Sequence, residues 1–363
     1  MTPVPGDRAL SVAAKGSTRR WLHPDRDTDP GHPNQAMRGF DPGYADIVDW
    51  IMRITHRIWE EKDIGHIYDT YRHNAVVTDD AGVQYGRDKI VADTVHTIAA
   101  FPDVRLYADE IVWAGDEDEG FHTSHRTVIV GHNTGFSRWA APTGRRVVVW
   151  AIANCRAVEN EIVEEHVLYN TSSLLSQLGF DLRALAREAA AGGEPPEIDD
   201  VCFGEPERLR GQGPPAPLPA LPDDGFQLEP FLRRLYDEIW NWRNLGAIDR
   251  AYAPGIRYLG AGNRRLYGRG DLKALILTIM AMLPDLVMQI DDLYWMGDER
   301  TGHLAAVRWS IVGTHRGHGP WGAPTGRRVH LWGISQHELR DGRIAEEWTV
   351  FNEFDVLRQL ARA

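Results

Sequence analysis

Three imidazoles, His122, His125 and His132, fall within one strand-length run, and Arg126 stands beside the second of them. Imidazole titrates near pH ~6.5 and serves as acid, base or metal ligand. Strand parity limits the choice. His125 and His132 point to opposite faces, and His122 and His132 share a face but lie far apart along the chain. A three-His metal centre is therefore not expected from this run. No His-Glu-x-x-His or Cys-x-x-Cys spacing supports a metal elsewhere, so no metal and no cofactor is expected. Arg126 recurs as Arg308 in a second, similar run. A guanidinium inside a sheet either grips a ligand carboxylate or carbonyl, or pairs with a carboxylate on the outer face. Glu164, Glu165, Glu346 and Glu347 are the candidate carboxylates, and the structural pair is the favoured reading. The chain also holds 13 Trp, and a subset of them could cage a cationic or planar ligand.

The recurrence of Arg126 is part of a larger repeat. Asp109 through Thr171 lies over Asp291 through Glu353 at a constant offset of 182 residues (291 − 109). Trp113, Trp139 and Trp150 fall on Trp295, Trp321 and Trp332, and Asn170 falls on Asn352. Repeats of this length are whole domains, not solenoid units. Positions kept in both copies report what the fold needs; positions that differ mark where the chemistry can differ.

The elements follow from spacing. Ile47, Ile51, Ile54 and Ile58 recur at three and four residues, as do Leu228, Phe231, Leu235 and Ile239, which predicts a first helix in each copy. Short second helices are expected near Ile64–Tyr71 and Leu245–Tyr252. A third helix follows Arg87 and Arg269, with Asp88 and Gly270 as candidate caps, and stops before Pro102 and Pro284. Four strands then follow in copy one, at Val104–Trp113, Phe121–His132, Val147–Val158 and Ile162–Tyr169, and again in copy two. Helices followed by consecutive strands predict an α+β fold. The expectation is two tandem cone-shaped domains, each with about three N-terminal helices packed on a curved antiparallel sheet. The domains span 37–185 and 225–363, with a tail at 1–36, ordered in part by Trp21, and a Pro-rich linker at 186–224.

Length and charge bound the function. A chain of 363 residues suits two domains. A net charge of −12 without a basic run argues against a nucleic-acid partner. No apolar run approaches the ~20 residues of a membrane span, and the N-terminus lacks an apolar signal core. Two cysteines, Cys155 and Cys202, sit at non-equivalent places, which favours a reducing, cytoplasmic setting.

Arg308-Trp309-Ser310-Ile311-Val312-Gly313-Thr314-His315, then Pro324-Thr325-Gly326-Arg327, resembles the SnoaL-like polyketide cyclase family of the nuclear transport factor 2-like superfamily. So does Asp341-Gly342-Arg343-Ile344 followed by Glu346-Glu347-Trp348. In such cyclases an inward Asp closes the last strand four residues after the Trp and acts as acid and base. Here that place holds Asn352 after Trp348, and Asn170 after His166. An amide donates and accepts hydrogen bonds but does not exchange a proton near neutral pH. The resemblance turns His166, Leu168 and Asn170 toward a pocket, so His166 is the expected replacement acid or base. Asn170 and Arg126 would polarise an oxygen, and Asp63 or His125 would assist. Trp59, Trp240, Asn244, Arg308, Trp348 and Asn352 would line or contact ligand.

The resemblance implies an enzyme using acid/base chemistry on a small, partly apolar carbonyl compound by cyclisation, isomerisation, or addition and elimination of water. Copy one is the expected active copy. The alternative is a non-catalytic small-molecule binder, because the Asp is Asn twice. A family homodimer would imply that the two copies form an internal pseudo-dimer packed sheet to sheet, leaving room for a further homo-oligomer.

Overall fold

The computed structural model describes residues 35–191, 217–221, 225–299 and 302–362. Most of the expected tail, Trp21 included, and most of the Pro-rich linker lie outside the described residues. Contacts divide the chain into two compact units, with the second beginning at Asp181.

In copy one, α1 (Ile47–Trp59) opens on Asp46, whose side chain accepts from the Asp49 N–H at 2.7 Å. Its buried face carries Ile47, Ile51, Ile54 and Ile58, the spacing seen in the sequence. A 3₁₀ turn (Ile64–His66) and α2 (Ile67–Thr70) lead into β1 (Tyr71–Thr78), β2 (Val83–Tyr85) and α3 (Arg87–Ala100). Then come β3 (Arg105–Asp116), β4 (Gly120–His132), β5 (Arg146–Val158) and β6 (Glu161–Leu168), followed by α4 (Thr171–Leu178). The sheet runs β2-β1-β6-β5-β4-β3. Every pairing is antiparallel except β1 with β6, which is parallel. The sheet is thus mixed rather than purely antiparallel. β1 and β2 were not visible in the sequence; they are short, and β1 pairs with a strand almost ninety residues away.

Helix α5 (Leu182–Ala191) belongs to the second unit by its contacts. Copy two then repeats the plan with α6 (Leu228–Tyr236), a π turn (Asp237–Asn241) and α7 (Gly246–Ala251). It continues through β7 (Tyr252–Gly260), β8 (Arg264–Tyr267), α8 (Gly268–Met282), β9 (Val287–Asp298), β10 (Gly302–Thr314), β11 (Arg328–Arg340), β12 (Arg343–Phe351) and α9 (Glu353–Ala361). Its sheet order, β8-β7-β12-β11-β10-β9, matches that of copy one strand for strand. The third helices are capped two and three residues earlier than expected. Gly86 and Tyr267 hold the cap positions, so Asp88 and Gly270 lie inside the first turn.

Register fixes the equivalences that matter below. Val77 and Tyr258 sit opposite Glu165 and Glu347, respectively. Residues up to the first hairpin therefore correspond at an offset of 181 (258 − 77). The extra residue of copy two lies in the β7–β8 turn, and from Tyr85 and Tyr267 onward the offset is 182.

Candidate functional site

Copy one encloses a hollow of about 240 Å³ between α1, α3, the loop after β4, and the concave face of the sheet. Its walls are mostly apolar, with Ile58, Ile67, Val77, Ile129, Val149 and Val167 among them. Three acidic side chains, Glu165, Asp79 and Asp93, face it together with Tyr71, Tyr169 and Arg138.

Glu165 is the central group. It is buried in the middle of β6, and its Oε2 accepts a 2.8 Å hydrogen bond from the Tyr71 hydroxyl. Burial away from water raises its pKa to about 7, because the charged form loses hydration; the Tyr71 bond opposes this and Asp79 adds to it. Burial also pushes the Tyr71 and Tyr169 phenols well above their ordinary range, so both remain protonated donors. Alternation along β6 places Glu165, Val167 and Tyr169 on the same side, and all three line the hollow.

Asp79 ends β1 at the turn. Its Oδ1 accepts from the backbone N–H groups of Ala81 at 2.6 Å and Gly82 at 2.9 Å. Its Oδ2 lies 3.9 Å from Nη1 of Arg138. Burial raises the Asp79 pKa, while Arg138 and the two amides pull it down. Arg138 sits on the loop after β4 with its guanidinium 4.9 Å from the Trp139 ring centroid. Asn133 braces that loop: its amide donates to Ala100 and Gly135, and its carbonyl oxygen accepts from Thr143. Gly135 lies so close to the Ala99 carbonyl that any side chain there would collide with it. At the rim, Gln84 donates to Asp93 at 2.5 Å.

The same place in copy two is nearly full, with a residual space of about 40 Å³. The Tyr–Glu pair is kept: the Tyr252 hydroxyl donates to Glu347 at 3.0 Å. Thr349 donates to the other Glu347 oxygen at 2.7 Å. Trp309, Tyr258, Tyr236 and Phe351 all line that small space. Trp309 donates to Ser335 at 3.0 Å, and its ring lies over Gly333, leaving no room there for a side chain. Tyr258 lies over Gly260 in the same way: a Cβ on Gly260 would meet its ring at 2.5 Å. Gly260 is the counterpart of Asp79, and Pro320 is the counterpart of Arg138.

Of the residues singled out from the sequence, Trp59 lines the hollow of copy one and Trp240 the space of copy two. The others lie elsewhere. His166 has the opposite parity to Glu165 on β6 and does not line the hollow; its Nδ1 is 3.5 Å from Glu164. Trp348 likewise alternates away from Glu347 and donates to Glu346 at 2.6 Å. Asn170 is buried at the strand-to-helix turn with a left-handed backbone (φ 51°). Asn352 clamps the equivalent turn. It accepts from the Trp332 N–H at 3.0 Å and donates to the His330 carbonyl and to Asp355. Both asparagines are thus corner residues outside the two cavities.

Arg126 pairs with Asp109 at 2.6 Å, not with Glu164 or Glu165. Asp109 is pushed out by a bulge in β3, which the sequence did not reveal. Arg308 faces the equivalent Asp291, whose pKa burial raises and Arg308 lowers. His125 is buried on β4 outside the lining, and burial depresses its pKa to about 4. Asp63 pairs with Arg57 at 2.7 Å at the exposed end of α1. Asn244 is exposed and 3.5 Å from Glu238.

The sequence reading missed Glu165, Tyr71, Asp79, Tyr169 and Arg138. One signal was present. Glu165 and Tyr71 both recur, as Glu347 and Tyr252. Two adjacent repeated glutamates, 164 and 165, must face opposite ways, so one of them had to point inward.

Among the described residues, no group of three or more His, Cys, Asp or Glu side chains is arranged to hold a metal ion. No helix among them is long and apolar enough to cross a membrane.

A six-stranded mixed sheet closed by preceding helices around a hollow defines a cone-shaped α+β domain. The SnoaL-like polyketide cyclase model matches residues 50–178 and again 231–360, and the chain belongs to that family as two tandem copies. Solved structures are similar to one copy at a time. A protein from Jannaschia sp. CCS1, assigned to the SnoaL-like polyketide cyclases, is 19% identical, with 38% of this chain and 99% of that one covered (TM-score 0.34). Wild-type IdmH from Streptomyces antibioticus is 24% identical over 36% and 95% of the two chains (TM-score 0.31). TsrD from Streptomyces laurentii is 22% identical over 37% and 98% (TM-score 0.32). No match is found among curated proteins.

Proposed function

We propose that copy one is an acid/base catalyst acting on a small, partly apolar carbonyl compound, by cyclisation, isomerisation, or addition and elimination of water. Glu165 is the proton-handling group. It accepts a proton from the carbon next to the carbonyl and returns it to the new position. Tyr71 orients the carboxylate, and Tyr169 stands in the same polar corner as a neutral donor. The supporting observation is a single one: a carboxylate facing an apolar hollow, with burial bringing its pKa to about 7. A group poised there is present in both protonation states near neutral pH, which is what proton transfer in both directions requires. The hollow, at about 240 Å³, falls just below the ~300–1,000 Å³ range of drug-sized sites, in keeping with a compact substrate.

The asparagines at the two places where the resemblance implied the family's Asp hold corners outside the cavities, so their amides do not speak against catalysis; Glu165 supplies the carboxylate instead. The test uses 2-tetralone as a general probe. The full chain should catalyse exchange of its α-hydrogens for deuterium in D₂O, followed by NMR, with a rate that rises through pH ~7 as Glu165 ionises. Glu165→Gln should slow exchange by roughly 10²–10⁴-fold. Equal rates for the two proteins would end this reading and favour a protein that only binds its ligand.

A further inference from the structure

Acid/base work by Glu165 leaves one requirement unmet. When a carbon next to a carbonyl loses its proton, the charge moves to the carbonyl oxygen, and that oxygen needs a fixed donor or cation. Among the residues lining the hollow, Arg138 is the one that carries a permanent positive charge.

We propose that Arg138 receives the enolate oxygen, so that the charge left when Glu165 takes the proton collects at the Arg138 side of the hollow. The inference rests on the reading of this hollow given above and adds the residue that takes the developing charge. Three observations carry it. First, the Arg138 guanidinium is placed by two partners, the Trp139 ring at 4.9 Å and the Asp79 carboxylate at 3.9 Å. The Asp79 distance exceeds a hydrogen bond, so Asp79 steers the guanidinium without consuming its donors. Second, Asp79 is itself immobilised by the Ala81 and Gly82 amides, and the Arg138 loop is tied to the end of α3 through Asn133 and Gly135. An oxygen-stabilising group works because it does not have to reorganise as charge develops. Third, copy two keeps Tyr252 and Glu347 but has Gly260 and Pro320 in place of Asp79 and Arg138, and there the hollow is filled. The Asp79–Arg138 pair thus accompanies the open cavity, whereas the Tyr–Glu pair does not.

The proton and charge balance is simple. Glu165 takes the α-proton, the C–H electron pair becomes the C=C of the enolate, and the carbonyl π pair moves to the oxygen beside Arg138. Return of the proton at carbon reverses the flow.

The test reads the charge preference of the site directly with 4-nitrophenol, whose phenolate mimics a planar enolate and absorbs in the visible. The bound probe is titrated spectrophotometrically in the full-length protein. Arg138→Gln should raise the pH at which the bound probe ionises, lowering the bound phenolate-to-phenol ratio about tenfold for a shift of one pH unit. Arg138→Lys should recover part of that shift. Glu165→Gln should slow deuterium exchange as given above yet keep the response to Arg138→Gln, which separates this inference from the Glu165 assignment. An identical titration for wild type and Arg138→Gln, or no binding of the probe by the wild type, would overturn it.

Discussion

The two copies share a strand order, a register and a buried Tyr–Glu pair, yet one encloses a hollow and the other is nearly solid. The difference comes from a few positions on the same scaffold. Copy two places Tyr258 and Trp309 where copy one has Val77 and Thr127. Each large ring is accommodated by a glycine beneath it, Gly260 and Gly333, where copy one has Asp79 and Ala151. On α8, Leu275, Ile276 and Ile279 face the small space, and the matching positions on α3 are Asp93, Thr94 and Thr97. Glu347 is hydrogen-bonded at both oxygens by Tyr252 and Thr349, whereas Val167 replaces the second donor beside Glu165. A carboxylate in a fold can therefore serve as a satisfied core group or as a poised proton carrier. Neighbouring volume and donor count decide which.

Emptying the filled copy should produce the largest effect. If Trp309 is the plug, Trp309→Ala should destabilise the protein by roughly 3–5 kcal/mol and open a cavity that takes up 4-nitrophenol. Thr127→Ala, at the matching place in copy one, should cost well under half of that. Denaturant unfolding of both variants checks this, and similar losses would dissolve the contrast.

The pH dependence of stability gives a sharper comparison with a somewhat smaller effect. Glu165 has a folded pKa of about 7 against an ordinary 4.5, so its contribution is complete below pH ~4.5 and is lost as pH rises through 7. The shift corresponds to about 3 kcal/mol. His330 of copy two behaves oppositely. Burial depresses its pKa to about 3, so its contribution is present above pH ~6.5 and is lost as pH falls, by about 2 kcal/mol between pH 6.5 and 5. His125 adds an acid-side loss in copy one. Glu165→Gln should remove the fall in stability between about pH 4.5 and 7 that Glu165 causes and leave the slope below pH ~4.5 unchanged. A curve with the same slope between pH 4.5 and 7 in both proteins would contradict the assignment.

The smallest expected effect concerns the corner asparagines. Asn352→Ala removes a side chain that accepts from Trp332 and donates to His330 and Asp355, and should lower stability by roughly 1–3 kcal/mol. Deuterium exchange by the folded variant should match wild type, since Asn352 stands outside both cavities. A large loss of exchange would return the asparagine to the chemistry.

The sequence by itself determined the duplication, the buried face of α1, four strands per copy and the class of fold; in copy two the buried face of α6 carries Leu232 rather than the expected Phe231, and Ile239 falls in the π turn. The properties it determined are one-dimensional, set by the 3.6- and 2-residue periods and by the 182-residue offset. It also held the Tyr71–Glu165 pair in plain view, twice. What it left undecided was which face of β6 looks inward. Buried apolar residues stand on both faces of that strand, Leu168 on one and Val167 on the other, and a bulge at Val163 turns Ile162 to the Val167 side, so hydrophobic alternation could not orient it. Only tertiary structure placed Glu165 rather than His166 in the hollow. It alone showed that Arg126 meets a bulged Asp109, and that Asp79 and Arg138, 59 positions apart (138 − 79), come together at the mouth of one cavity. The reason is physical. Periodicity fixes what an element is, but register, bulges and the volume of facing side chains fix what it surrounds, and those are properties of residues distant in the chain.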